Sequence, residues 1–169
     1  MRFFKIFLGK RNAAPIDGGI NKRIHRDAPK TIVSENIIHF KCEFSTVAIA
    51  DEIPIEQGVY TLCAALKDGA VRGEYKMRTR QGDGVQFLFR ESHRFMSELQ
   101  KIVRKYDFAK FNGEEYSVSG LPDMYGAKIH IVYASGECID SSNNQSNFLP
   151  DEAMTELVEH FYSKKPTKD

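Results

Sequence analysis

The chain has 169 residues, 41% of them hydrophobic and 28% charged. That length suits one ordinary domain, and no apolar run nears the roughly 18 residues that a membrane-crossing helix needs. The formal net charge is +1, yet residues 1–30 hold eight basic and two acidic side chains while the remaining 139 hold 16 basic and 21 acidic.

A mildly acidic body with a basic N-terminal arm follows from that asymmetry. Cys42, Cys63 and Cys138 are odd in number, far apart and free of CxxC spacing. They outline neither a disulfide framework nor a zinc site, so a reducing cytoplasm is the expected setting.

The arm opens with "MRFFKIFLGKR". Its apolar part, Phe3 to Leu8, is broken by Lys5 and falls short of the usual h-region of about 7–15 residues in a secretory signal. Phenylalanines beside lysines suit an anionic lipid surface, which makes residues 1–11 a candidate tether for a peripheral membrane protein. The competing reading is a plain tail, or one that docks Phe3, Phe4 and Phe7 on the body. Residues 12–34 have two prolines, two glycines and no clean period. They read as a linker, which leaves a basic flexible arm and linker over 1–34 and a single domain over 35–165.

From Ile37 the pattern alternates. Ile38, Phe40, Cys42 and Phe44 form one apolar face, with Ile37, His39, Lys41 and Glu43 on the other. Asp68-Gly69 predicts a two-residue type I′ hairpin, because both residues tolerate positive φ. Closing there sets Leu66 opposite Val71, Leu62 opposite Tyr75 and Tyr60 opposite Met77, all apolar, so turn chemistry and burial agree on one register. The wet face then pairs Ala65 with Arg72, Cys63 with Glu74, Thr61 with Lys76 and Val59 with Arg78. For "QGDGVQFLFR", a two-residue Asp83-Gly84 loop would set Phe87 and Phe89 opposite arginines. A three-residue loop Gly82-Asp83-Gly84 with Gly84 left-handed instead matches Phe87 to Thr79 and Phe89 to Met77.

Residues 91–106 have a helical period, with Phe95, Met96, Leu99, Ile102, Val103 and Tyr106 in an arc of roughly 120°. Phe108 to Gly120 is ambiguous, since Asn112-Gly113 either closes a small hairpin or ends a helix. "AKIHIVYASGECID" predicts a hairpin turning at Ser135-Gly136, with its first strand in the sheet interior under helices. That turn sets His130 opposite Ser141 and Cys138 opposite Tyr133. A final helix starts at Pro150, with Asp151 and Glu152 at its positive end, Lys164 and Lys165 at its negative end, and a stripe of Met154, Leu157, Val158 and Phe161. The order β-β-β-β-α-(β)-β-β-α implies an α+β fold: an antiparallel sheet of about five to seven strands with two amphipathic helices on one face. The segments "YDFAKFNG", "YASGE" and the "LP" before the last helix resemble a bacterial family of uncharacterised proteins over residues 99–162. The resemblance implies the fold and a bacterial origin, and no activity.

Signatures of catalysis are missing: no Walker A run, no G-x-S-x-G, no H-E-x-x-H and no EF-hand spacing. No cofactor or metal is implied. Cysteine catalysis needs a nearby base, and one grouping meets that demand. His39, Cys63 and Glu74 share the wet face and converge if their strands are neighbours, which defines a cysteine-dependent enzyme as the alternative reading; three ordinary sheet-surface residues are the competing one. The same face carries Arg72, Lys76, Arg78, Arg80 and Arg90 beside Val59, Thr61 and Leu88. Arginine amid apolar area suits an acidic protein or peptide partner, while a plain solvated face is the competing reading. Nucleic acid is not expected, because Tyr75, Phe87 and Phe89 face the core and are lost to base stacking. The uncharged run Ser141 to Asn147 reads as a connector from strand to helix rather than a ligand site. The leading expectation is a non-catalytic interaction domain.

Overall fold

The structure, a computed structural model, describes residues 19–49, 53–120 and 125–167. Eight strands form one mixed sheet: β1 (Ile20–Ile24), β2 (Ile37–Ser45), β3 (Val59–Lys67), β4 (Ala70–Arg78), β5 (Gly84–Glu91), β6 (Glu114–Val118), β7 (Ala127–Tyr133) and β8 (Cys138–Asn143). Their spatial order is β1-β6-β8-β7-β2-β3-β4-β5. Two helices, α1 (Arg94–Lys105) and α2 (Asp151–Tyr162), complete this α+β fold. All neighbours are antiparallel except β6 and β8, whose parallel pairing makes the sheet mixed. The eighth strand is β1. Residues 20–24, expected as linker, pair with Glu114 to Val118 and extend the sheet by one strand.

The first hairpin has the predicted register throughout, from Lys67 opposite Ala70 to Val59 opposite Arg78. Asp68 and Gly69 adopt φ of 52° and 74°, the two positive angles of a type I′ turn. The second hairpin differs in detail. Its loop does hold three residues, but they are Arg80, Gln81 and Gly82: Thr79 N–H donates to the Asp83 carbonyl (2.7 Å), and Gly82, not Gly84, is left-handed at 92°. Phe87 therefore lies opposite Tyr75, and Phe89 opposite Gly73. The slip is by an even number of positions, so the face is preserved; Phe87 stacks on Tyr75 at 5.0 Å between centroids.

The third hairpin corrects the reading more deeply. Tyr133 N–H donates to the Glu137 carbonyl (3.0 Å), and Gly136 N–H to the Tyr133 carbonyl (3.0 Å), closing a three-residue loop Ala134-Ser135-Gly136. One extra loop residue moves every partner by one. His130 faces Asp140 and Cys138 faces Val132, where a two-residue turn predicts Ser141 and Tyr133. A register shift in β2 between Ile37 and His39 has a similar effect. It buries Ile37 in place of Ile38 as the strand's first core residue, since a bulge re-aims one side chain.

Both helices cover one face of the sheet. Phe95, Met96, Leu99 and Val103 of α1 and Met154, Leu157, Val158 and Phe161 of α2 are buried against Phe40, Leu62, Ile129 and Ile131, with an edge-to-face contact between Phe95 and Phe161 (5.1 Å). Pro150 is the N-cap of α2, with extended backbone, rather than its first helical residue. The ambiguous stretch after α1 resolves into a 3-10 helix, Phe108–Phe111, followed by Asn112 and then a left-handed Gly113 that immediately precedes β6.

Residues 25–36 are tied across this end. Lys30 Nζ donates to the carbonyls of Lys110 (2.9 Å) and Asn112 (2.8 Å) and to Glu114 Oε1 (2.8 Å). Glu137 accepts from the N–H groups of Val33 and Ser34, each at 2.9 Å. Buried Asn112 joins three segments. Its Nδ2 donates to the carbonyls of Pro29 and Cys138, each at 2.9 Å, and its Oδ1 accepts from Asp140 N–H at 2.8 Å.

Candidate interaction surface

The face away from the helices consists of rows of side chains running across the strands. One row reads Asp140, His130, Lys41, Cys63, Glu74, Leu88, and a second reads Ser142, Lys128, Glu43, Thr61, Lys76, Gln86. The third is Cys138, Val132, His39, Ala65, Arg72, Arg90. Charges of both signs alternate over β2, β7 and β8, where Lys41 pairs with Glu43 at 3.0 Å. Towards β4 and β5 the balance turns positive. Glu74 is the acidic residue there, and it accepts from Gln86 Nε2 (2.8 Å).

Four of the five predicted binding residues share this end. Arg72, Lys76 and Arg78 lie on β4 and Arg90 on β5, while Arg80 sits in the turn beyond the strand. The hairpin loops fix how close they come. Thr79 and Asp83 form a hydrogen-bonded pair, so by alternation Arg72 and Arg90 are a non-hydrogen-bonded pair, the spacing at which cross-strand Cα atoms approach to about 4.5 Å. Like charges placed so are destabilising. Arg72 has one exposed contact, to Asp68 at 3.5 Å, worth little in water. Among the described residues Lys76, Arg78 and Arg90 have no ion-pair partner. Leu88, beside them, is 71% exposed.

The three residues of the catalytic grouping share this face, and Glu74 lies opposite Cys63. β2 and β3 are neighbours, but Cys63 lies opposite Lys41, and His39 lies opposite Ala65. Burial pushes the Cys63 thiol above its ordinary pKa, and the nearby Glu74 adds to the rise against the opposing pull of Lys41. The arrangement lacks the lowered thiol that marks a nucleophile. Sequence reasoning missed another pair: His130 Nδ1 donates to Asp140 Oδ2 at 2.9 Å, which only the three-residue loop permits. His39 packs edge-on against His130 at 5.5 Å, with its Nδ1 buried and without a partner among the described residues. Among the described residues no group of three or more His, Cys, Asp or Glu could hold a metal ion.

Two histidines give this protein an acid-side weakness. Burial lowers the pKa of His160, which stacks on Phe95 at 4.2 Å; burial first, then His130 and Lys41, lowers that of His39. In the unfolded chain both titrate near 6.5. Just below that pH the unfolded state binds more protons than the folded one, so stability drops as pH falls from 7 towards 5. The expected result is a Tm that declines across this window, and less steeply in His160→Phe. Equal slopes would refute the assignment. Glu98, Glu137 and Glu156, all lowered by hydrogen bonds to the ionised form, act below about 4.5, where protonation removes those bonds.

The side chains of the polar run are mostly engaged by backbone groups of the run itself and of neighbouring segments. Ser141 to Asn143 are not loop at all but the end of β8. Asn143 Oδ1 accepts from the N–H groups of Gln145 (2.9 Å) and Ser146 (3.0 Å). Asn144 brackets Val118, accepting from its N–H (2.9 Å) and donating to its carbonyl (3.1 Å). Asn147 Nδ2 donates to the Ser45 carbonyl (3.1 Å). An open recess of about 280 Å³ lies between Glu43, Val59, Tyr116, Lys128, Ser142 and Asn143, and the amide of Asn143 is turned to the loop instead.

Among the described residues no helix is long and apolar enough to cross a membrane. The membrane-tether reading of residues 1–11 lies outside the described residues. No family model, no curated protein and no solved structure matches this chain.

Proposed function

We propose that this chain is a non-catalytic interaction domain that receives an acidic protein or peptide on the arginine-bearing end of its open sheet face. One observation carries the reading: Arg72 and Arg90 face each other at the closest cross-strand spacing, a repulsive pair that a partner's carboxylate would relieve. Arg78 and Lys76 widen the positive zone, and exposed Leu88 supplies apolar area next to it. Arginine is among the residues enriched at binding hot spots. Tyr75, Phe87 and Phe89 point to the helix side, which disfavours nucleic acid. Three free cysteines, Cys138 exposed, fit a cytoplasmic setting, and the resemblance carried by residues 99–162 supports a bacterial origin.

Fluorescence anisotropy with a labelled octaglutamate tests this reading. Wild type should bind at low salt and release on raising the salt. R72E/R90E should bind about tenfold or more weakly with its Tm retained, since two interfacial charges are reversed. Cys63→Ser should bind as wild type does. Equal binding by wild type and R72E/R90E would remove the proposal.

A further inference from the structure

Resting on the arginine-face reading, we infer that the partner docks as an extended strand along β5, adding a ninth strand to the sheet. β5 is the outer strand on its side of the described sheet. It is eight residues long, "GVQFLFRE", with no proline, one basic residue and one acidic residue at its very end. Natural edges are shielded by proline, bulges, charges or a covering element, and β5 pairs with β4 over all eight positions without a register shift. Its hydrogen-bonded positions towards β4 are Val85, Phe87 and Phe89, by alternation from the Thr79–Asp83 pair. The N–H and C=O groups of Gln86, Leu88 and Arg90 therefore point outward, available to an incoming backbone.

Side chains select the strand. On the open face an added residue opposite Leu88 meets an apolar surface, and one opposite Arg90 meets the Arg72–Arg90 pair. One opposite Gly84 meets no side chain on β5 and reaches Arg78 behind it. On the helix face, residues opposite Phe87 and Phe89 meet half-exposed rings, with Tyr162 of α2 beside Phe87 at 6.1 Å. In antiparallel pairing this reads, from the partner's N-terminus, as a carboxylate, three apolar residues, two β-formers and a second carboxylate. A second copy of this chain fits less well. Pairing β5 with itself around Leu88 would bring Arg90 of each copy beside Gln86 and Lys76 of the other, positive against positive.

The probe is the labelled peptide Glu-Val-Val-Val-Thr-Val-Glu, and its N-methylated form at the third and fifth residues, whose N–H groups face β5. N-methylation should weaken binding about tenfold, the effect of two lost backbone hydrogen bonds, without any change to the protein. Leu88→Pro, which removes one outward N–H on an edge where proline is tolerated, should do likewise with far-UV circular dichroism unchanged. Binding lost in R72E/R90E but indifferent to N-methylation would overturn edge docking and leave the arginine face standing. Wild type binding neither peptide, nor octaglutamate, would overturn both. A concentration-dependent dimer in sedimentation, abolished by Leu88→Pro, would assign the edge to a second copy and overturn the acidic occupant.

Discussion

Asn112→Leu should destabilise the protein by about 3–4 kcal/mol. The side chain is 3% exposed, and all three of its hydrogen bonds go to backbone groups of other segments. Leucine has nearly the same size and none of the polar atoms. The carbonyls of Pro29 and Cys138 and the N–H of Asp140 then lose their partner together, and each orphaned buried group costs about 1–3 kcal/mol, with water recovering part. The loss also uncouples the segment carrying Lys30 from β8, because Asn112 is their shared partner. Urea denaturation should show a lower midpoint with an unchanged m-value. A shift below about 1 kcal/mol would mean that these groups re-pair freely and that Asn112 is not the joint described.

Gly73→Ala should cost about 2–3 kcal/mol and disturb β5. A Cβ built on Gly73 would stand 2.0, 2.4 and 2.5 Å from three ring atoms of Phe89, far inside carbon contact at roughly 3.5–4.0 Å. The ring cannot swing aside without leaving Phe95 (5.1 Å) and Phe161 (5.8 Å). Overpacking of this kind typically costs about 1–3 kcal/mol, and here it adds a partly lost aromatic contact. The glycine is thus the seat of a cross-strand aromatic, a pairing known to stabilise glycine in strands. A double-mutant cycle with Phe89→Ala checks the cause: with the ring gone, Gly73→Ala should be nearly neutral. Additive losses would disprove the clash.

The same glycine shows why one register was legible and another was not. Asp68-Gly69 determines its hairpin alone, because few two-residue loops tolerate two positive φ angles and the flanking apolar positions agree with it. Around Gly82 to Gly84, two glycines offer two left-handed positions, and both choices put Phe87 and Phe89 on the core side. Only the fit of Phe89 over Gly73 against α1 and α2 distinguishes them. At Ser135-Gly136 the choice between two and three loop residues changes the face of everything beyond it, and with apolar residues on both faces of β7 the pattern gives no vote. The His130–Asp140 contact was hidden for that reason.

Strand β1 was missed because "INKRI" is exposed along its whole length and has no buried face to generate a period. Its partner β6 supplies the reason it is a strand. The arginine zone was readable as composition on one face; the opposition of Arg72 and Arg90, and the position of β5 at the edge of the described sheet, were not.

Local chemistry in the sequence therefore determined strands β2 to β5, β7 and β8, both amphipathic helices and the core side of β3, β4 and β5, since turn angles and burial periods act over a few residues. The tertiary structure decided the strand order, the parallel β6–β8 contact, the edge position of β5 and the registers of the glycine-rich and Ser135-Gly136 loops. Those depend on which distant surfaces fit together, and no short-range period encodes that fit.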